Sequence, residues 1–415
     1  MRRFVTLLIG AILVASAVSV TPTQAQSGRQ VWAWYFGWFT YDTWSDGRLR
    51  DIPAQPYDSL DGGVQGRQIQ EAQSAGIDAF IMSWFGSKNN NLTQQVFTSM
   101  LNQAGGRGFK MGAAVDLVDP GYFTSEQEVI SEMSYLINDL ANHGAYLRYN
   151  GKPVIYIYNQ GRYSLSQWQN IRAAVDPNHN TIWLSEGTTT QYIPTFEGLY
   201  LFNSAWSSSP ASTARQFKNA TTNAGGTFFA PTAHPGWNED ALAAGRSNPT
   251  AAKERDNGTF LRNSFNGAAQ GGTDVILIVS WNEYFENSHI EPSQAFGTQA
   301  LDILRELIPA WKVNQPAATA STSTEGASAS VAPAGAAAGQ PSGLTFNLGY
   351  NAKFRSAPST SGTQLAQIPF GTVLEVVGRS SDNAWLQVNY NGGSGWVSLS
   401  LGTLSGDLNG LPING

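Results

Sequence analysis

The feature that most restricts the fold is a set of eight short apolar segments, separated mostly by stretches with helical periodicity. They occupy residues 30–38, 77–85, 109–115, 153–158, 181–185, 198–202, 227–231 and 275–279. Each has the length of a strand and is largely apolar rather than alternating, the pattern of strands buried on both faces of a parallel sheet. Residues 66–75, 92–103, 166–175, 212–224 and 299–308 read as helices between or after them. The clearest helix signal is Ser125 with Glu128, a capping box ahead of a stripe of Val129, Met133, Leu136, Ile137 and Leu140. Strands and helices alternating in this way predict an α/β fold, a (β/α)8 TIM barrel over residues 29–313.

Barrels of this type carry their chemistry at the C-terminal ends of the strands. The last segment is the richest there: VILIV at 275–279 runs straight into SWNEYFE at 280–286, which holds two carboxylates, an amide and three aromatic rings. Glycoside hydrolysis needs two carboxyl groups in different protonation states, and aromatic faces hold a sugar. Glu283 and Glu286 are the candidate pair. Their i, i+3 spacing also suits the first turn of a helix, where the helix dipole favours acids. The residues alone leave both readings open. Tyr35, Trp84, Asp116, Asn159, Glu186, Trp206, His234, Trp237 and Asn282 stand at other strand ends and are expected at the same mouth. Any single aromatic there can equally pack under a loop, and His234, Trp237 and Asn282 are candidate substrate contacts. Glu186 reads as a third acid or a helix cap.

The run WNEYFENSHIEPS at 281–293 resembles the signature of glycoside hydrolase family 99. Upstream, APTAHPGW at 230–237 and RDNGTF at 255–260 are similar to that family's Pro-Gly-aromatic loop and Arg-x-x-Gly-aromatic segment. The likeness extends over residues 29–311, and its matching segments imply that Tyr35 and Trp84 are the sugar-stacking platforms. It implies a TIM barrel that cleaves α-mannosidic or related α-linkages internally, with retention and without a metal or other cofactor. It further implies that Glu283 deprotonates the sugar's 2-hydroxyl, which attacks its own anomeric carbon to give a 1,2-anhydro sugar. Glu286 would protonate the leaving oxygen and then activate water, a substrate-assisted exception to the ordinary two-carboxylate scheme. Tyr284-Phe285 and Asn287 depart from the commonest residues of family 99, and Glu286-Asn287-Ser288-His289 is also similar to the ending found in family 71. A family 71-like α-1,3-glucanase therefore stands as an alternative, as does a noncatalytic carbohydrate- or envelope-binding protein on the same barrel.

The rest of the chain narrows the setting. A net charge of -6, with charged residues at 13 %, speaks against a nucleic-acid partner. Aromatics at 12 %, including 13 Trp, suit an oligo- or polysaccharide substrate, although a large core also uses them. The four His are scattered and Cys is absent, so no metal-ligand spacing, disulfide or thiol nucleophile is present in the sequence. Met1-Arg2-Arg3, an apolar run over 4–20 and Thr23-Gln24-Ala25 read as a signal peptide at 1–25. The expectation is a secreted or envelope-associated monomer with no membrane span after cleavage. Residues 314–343 are almost wholly Ala, Ser, Thr, Gly and Pro, a flexible linker. Residues 344–401 are similar to bacterial SH3-like domains through Asn351, Arg355, Pro358, Phe370-Gly371, Trp385 and Gly395-Trp396-Val397. Their alternating runs independently predict a small all-β barrel. A cell-wall or envelope ligand is expected for it, and residues 402–415 are expected to form a loosely attached tail.

Overall fold

The computed structural model describes residues 28–245, 250–313, 343–348, 352–368, 372–390 and 392–414. The signal-peptide segment, all of the linker except Gly343, Asn351 and the Phe370-Gly371 pair lie outside the described residues.

Nine parallel segments curl into a nearly closed barrel, in the order β8-β7-β6-β5-β3-β2-β1-β10-β9. These are β1 (Gln30–Tyr35), β2 (Ala79–Trp84), β3 (Lys110–Asp116), β5 (Lys152–Tyr158), β6 (Ile182–Glu186), β7 (Gly198–Tyr200), β8 (Phe228–Ala230), β9 (Thr232–Ala233) and β10 (Val275–Ile278). A two-residue strand, β4 (Arg148–Tyr149), pairs antiparallel with β5. The extra segment relative to the expected eight arises at Pro231, which has no N–H for the ladder and divides one run into β8 and β9. β8 pairs with β7 and β9 with β10, while Pro231 O accepts from Leu277 N at 2.9 Å, so the divided run closes the barrel.

The helices are α1 (Gly62–Ser74), α2 (Leu92–Gly105), α3 (Glu126–Asn138), α4 (Leu165–Val175), α5 (Pro210–Asn223), α6 (Thr259–Ala269) and α7 (Gln299–Val313). Ser125 does cap α3, accepting from Glu128 N at 3.1 Å. Glu128 itself reaches back to Thr124 rather than to Ser125, so the reciprocal half of the expected capping box is displaced by one residue. α6 has no counterpart among the expected helices. Its signal is Leu261, Phe265 and Ala268 on one buried face, following a Gly258 that takes the left-handed conformation before the helix starts.

Alternation along the strands sorts side chains into two layers. Trp32, Trp34, Ile81, Ala114, Tyr156, Leu184, Tyr200 and Leu277 fill the barrel interior. Tyr35, Phe80, Met82, Trp84, Val115, Ile157 and Ile278 pack outward with the helices. Both layers are apolar because a parallel sheet is covered on both faces.

The C-terminal part forms a separate antiparallel sheet in the order β13-β12-β16-β15-β14-β11-β17. Its strands are β11 (Thr345–Leu348), β12 (Ala352–Arg355), β13 (Gln364–Ile368), β14 (Val373–Arg379), β15 (Trp385–Tyr390), β16 (Gly393–Ser398) and β17 (Gly402–Leu404). Residues 402–414 do not form the loosely attached tail expected for 402–415. β17 pairs with β11, Leu411 is buried in the small core, and Arg379 N donates to Pro412 O at 2.8 Å. Asn414 donates through Nδ2 to Gln387 Oε1 at 2.8 Å, tying residues 402–414 to the sheet. No helix among the described residues is long and apolar enough to cross a membrane.

Candidate active site

Directly after β10 the chain folds back on itself. Ser280 N donates to Ser288 O at 2.8 Å, and Ile290 N returns to the carbonyls of Ser280 and Trp281 at 3.0 Å, zipping the two legs of a loop together. Within it Ser280 Oγ accepts from Glu283 N at 2.7 Å, and Glu283 Oε1 accepts from Phe285 N at 2.9 Å. The spacing of Glu283 and Glu286 therefore serves a tight turn, and the next helix after β10 is α7 at Gln299.

Aromatic and ionic contacts fix this turn from below. Trp281 packs on Phe80 with ring centroids 5.0 Å apart, and Tyr284 stacks on His289 at 4.2 Å. Burial, reinforced by the Arg255 guanidinium, holds the His289 pKa down to about 3, so the ring is neutral. Its Nε2–H donates to Asp51 Oδ2 at 3.0 Å, leaving Nδ1 to accept from Arg255 Nη2 at 3.3 Å. Burial would raise the Asp51 pKa, but hydrogen bonds from His289, Ser293 and Ala295 outweigh it and hold the group at about 2. Arg255 also donates to Asn287 O at 3.1 Å, so the RDNGTF segment and the loop are physically joined.

Above this support lies a cavity of about 380 Å³ at the C-terminal ends of the strands. Glu283 and Glu286 line it, 4 % and 5 % exposed, together with Asp116 from the end of β3. Trp34 lies against the cavity, stacked on Tyr200 at 5.5 Å and edge-on to Phe202 at 5.1 Å. One wall is Trp38 stacked on Phe85 at 5.9 Å, and Tyr122 backs Phe85 from outside the cavity at 5.5 Å. Phe36 and Tyr158 complete the aromatic lining, and Lys, Arg and His are absent from it among the described residues. Burial raises the Asp116 pKa to about 6 against hydrogen bonds from Val118 N and Ser83. The arrangement combines three acids with flat apolar faces, which is suited to protonating and deprotonating oxygen atoms on a stacked sugar. A smaller depression of about 180 Å³, lined by Tyr149, Phe228, Asp274 and Val275, opens at the opposite end of the barrel and contains none of these acids.

Several expected site residues lie elsewhere. Tyr35 is not at the mouth: it faces outward and donates to Gln68 Oε1 at 2.9 Å. Trp84 is likewise outward and wholly buried, its Nε1–H donating to Gln94 Oε1 at 2.7 Å on α2. In both cases the neighbouring residues, Trp34 and Phe36 or Ser83 and Phe85, face the cavity instead. His234 is committed on both sides, Nδ1 toward Val279 O at 3.1 Å and Nε2 accepting from Ser204 N at 3.0 Å. Burial pushes its pKa down to about 3, which keeps it neutral. Trp237 is buried behind Phe202, with Nε1–H on Glu239 Oε1 at 3.1 Å. Asn282 is buried and clamps the Phe36 backbone, accepting from its N at 2.8 Å and donating to its O at 2.9 Å. Glu186 and Trp206 do not line the cavity; Trp206 is 49 % exposed. No group of three or more His, Asp or Glu among the described residues is arranged to hold a metal ion.

Glu291 had no assigned role in the sequence, although it sits inside the Ile-Glu-Pro run. It is buried beneath the loop and accepts from Gln68 Nε2 at 2.6 Å, Tyr284 OH at 3.0 Å and Tyr57 OH at 3.1 Å.

Comparison with known proteins gives matches for both parts of the chain. The family model described as glycosyl hydrolase family 99 matches residues 53–305, and that described as a bacterial SH3 domain matches residues 351–403. The human glycoprotein endo-alpha-1,2-mannosidase-like protein is 23 % identical over 258 residues, covering 57 % of this chain and 55 % of that protein. The mouse glycoprotein endo-alpha-1,2-mannosidase is 22 % identical over 279 residues, covering 59 % of this chain and 58 % of that protein. The chain thus spans little more than half the length of these curated relatives. In fold it is similar to the GH99 endo-alpha-mannosidase from Bacteroides thetaiotaomicron, with a TM-score of 0.60 at 17 % identity, covering 69 % of this chain and 99 % of that one.

Proposed function

The chain belongs to glycosyl hydrolase family 99, and from that premise we propose that it is an exported, endo-acting hydrolase of α-mannosidic linkages. The observation that carries the reading is the cavity itself, where Glu283, Glu286 and Asp116 meet an aromatic lining at the C-terminal end of the barrel. Related proteins with this family's signature are named as endo-α-mannosidases, which supports mannose over glucose.

In the proposed reaction Glu283 accepts the proton of the 2-hydroxyl as that oxygen attacks C1. The C1–O bond breaks, and Glu286 gives its proton to the departing oxygen. Water then attacks C1 of the 1,2-anhydro sugar, the C1–O2 bond breaks as Glu286 takes the water's proton, and O2 recovers a proton from Glu283. Two inversions at C1 give net retention. The first step requires O2 to lie anti to the leaving group. An α-mannoside meets that condition and an α-glucoside does not, so the mechanism and the sugar stand together. Asp116, across from the glutamates on β3, contacts substrate hydroxyls. The C-terminal domain holds the enzyme on cell-wall or envelope material, and export rests on the segment at 1–25.

The test compares Glu283→Gln and Glu286→Gln on α-mannan oligosaccharides and on an α-mannosyl fluoride. Each variant is expected to lose on the order of 10²–10⁴ in kcat on the natural linkage. On the fluoride, which leaves without a proton, Glu286→Gln is expected to retain much more activity than on the natural linkage, limited by the second step in which Glu286 is the base for water. Glu283→Gln stays poor on both. Rescue of the opposite variant reverses the assignment. Efficient cleavage of α-glucan, or of a 2-deoxy substrate, overturns the route through the anhydro sugar.

A further inference from the structure

Glu291 is a buried ionisable group that the proposed reaction leaves unused. Its surroundings impose a direction on a chain of hydrogen bonds that ends at the candidate catalytic turn. The Phe36 backbone sets the Asn282 amide, because its N–H can only donate to Oδ1 (2.8 Å) and its carbonyl can only accept from Nδ2 (2.9 Å). The second Nδ2–H must then donate to the Tyr57 hydroxyl oxygen, 3.0 Å away. Tyr57 therefore sends its own proton onward to Glu291 Oε2 at 3.1 Å, where Tyr284 also donates at 3.0 Å. At the other oxygen Gln68 Nε2 donates at 2.6 Å, and Gln68 is oriented by Tyr35 OH donating to its Oε1 at 2.9 Å. All three neighbours donate. An ionised carboxylate satisfies them, and a protonated one displaces a donor.

We propose that Glu291 is a positioning residue for the candidate catalytic pair: its carboxylate receives the Tyr57 proton that Asn282 directs toward it, and so holds both the Glu283 turn and the Phe36 wall in place. Asn282 adjoins Glu283 in the chain, and Tyr284 adjoins it on the other side, so both neighbours of Glu283 are tied to this one carboxylate. The role rests on the reading of Glu283 as catalytic. Burial pushes the Glu291 pKa up to about 7 against the hydrogen bonds from Gln68, Tyr284 and Tyr57. The titratable groups facing it are Tyr35 on β1, Tyr57 ahead of α1, Glu71 on α1 and Tyr284 on the turn, while Asp51 acts on Tyr284. Arg67 on α1 acts on Tyr35 and lies 3.8 Å from Glu71, and Arg305 on α7 also acts on Glu71. Arg255 acts on Tyr284, on which the neutral His289 ring stacks. Protonation of Glu291 as pH falls through neutrality thus removes the acceptor on which the turn depends.

The full-length protein, Glu291→Gln and Tyr57→Phe are compared by two measurements. The first is kcat and KM on α-mannan oligosaccharides from pH 5 to 9. Glu291→Gln is expected to lower kcat by about 10–100-fold with KM changed little, as misplacement of a reacting group does. The acid limb near neutral pH disappears in that variant, and Tyr57→Phe shifts kcat in the same direction. The second is backbone amide exchange, which needs no turnover. Exchange is expected to rise at Phe36 and over residues 282–285 while α4 keeps its protection. Wild-type kcat, pH profile and Phe36 exchange in Glu291→Gln overturn the proposal. A uniform rise in exchange across the barrel in both variants makes Glu291 a stability residue and overturns it too. If the wild type cleaves no α-mannoside, the proposed activity fails, while the exchange pattern still decides whether Glu291 positions the turn.

Discussion

Trp34 and Trp84 sit toward the ends of neighbouring strands, both almost wholly buried, each with its indole N–H on a side-chain oxygen. Trp34 points inward, donates to Ser83 Oγ at 3.0 Å and lines the cavity. Trp84 points outward, donates to Gln94 Oε1 at 2.7 Å and stacks near Tyr135 of α3 with centroids 6.5 Å apart. The two environments differ by one step of the pleat. An aromatic ring at a strand end is thus no guide to substrate contact until its face is known, because the successive residues of a strand serve different layers.

That contrast can be broken by substitution. Trp84→Ala should have the largest effect, about 3–5 kcal/mol of lost stability, since it opens a cavity in the helix–strand layer. Its kcat/KM per folded molecule should stay within about twofold of wild type, and chemical denaturation beside titrated active sites will measure both. A preserved melting temperature with a raised KM would return Trp84 to the sugar site.

Asp116→Asn sharpens the comparison from the inner side. The folded-state pKa of Asp116 is raised to about 6 from 3.8. Its contribution to stability is therefore full below the unfolded value and is lost as pH rises through about 6. The amide does not titrate, so the variant should gain on wild type by about 2 kcal/mol between pH 4 and 7, on the scale of 1.36 kcal/mol per pKa unit. Melting curves across that range check it; parallel curves would place Asp116 in a wetter setting than the cavity wall.

Phe85→Ala carries the smallest expected change. Removing a half-buried ring from the Trp38–Phe85–Tyr122 ladder should cost about 1 kcal/mol in stability and about tenfold in kcat/KM. Saturation kinetics with oligosaccharides of increasing length would show whether the loss falls on KM, as expected of a stacking wall. Equal kinetic effects from Phe85→Ala and Trp84→Ala would dissolve the distinction between the two layers.

The legible part of the site was the part that is local in the chain. Glu283 and Glu286 follow a fully apolar strand, and both were found on the cavity wall. The supports of the turn were not legible. Asp51 reaches His289 across 238 positions, and Gln68 reaches Glu291 across 223. His234, Trp237 and Asn282 follow strand ends, but none lines the cavity and each spends its polar atoms on protein partners. α6 escaped because Gly258 and Gly267 flank or interrupt a stripe that is otherwise regular.

The amino-acid order alone specified the alternation of strands and helices, the division into a barrel and a small all-β domain, and the position of the paired glutamates. It did so because strand length, helical stripe and linker composition are properties of neighbouring residues. That Trp34, Phe36 and Phe85 face the cavity while Tyr35 and Trp84 face the helices emerged from the folded barrel. A strand covered on both sides is apolar at every position, so a shift of one residue leaves its hydrophobic pattern unchanged while exchanging every side chain between layers.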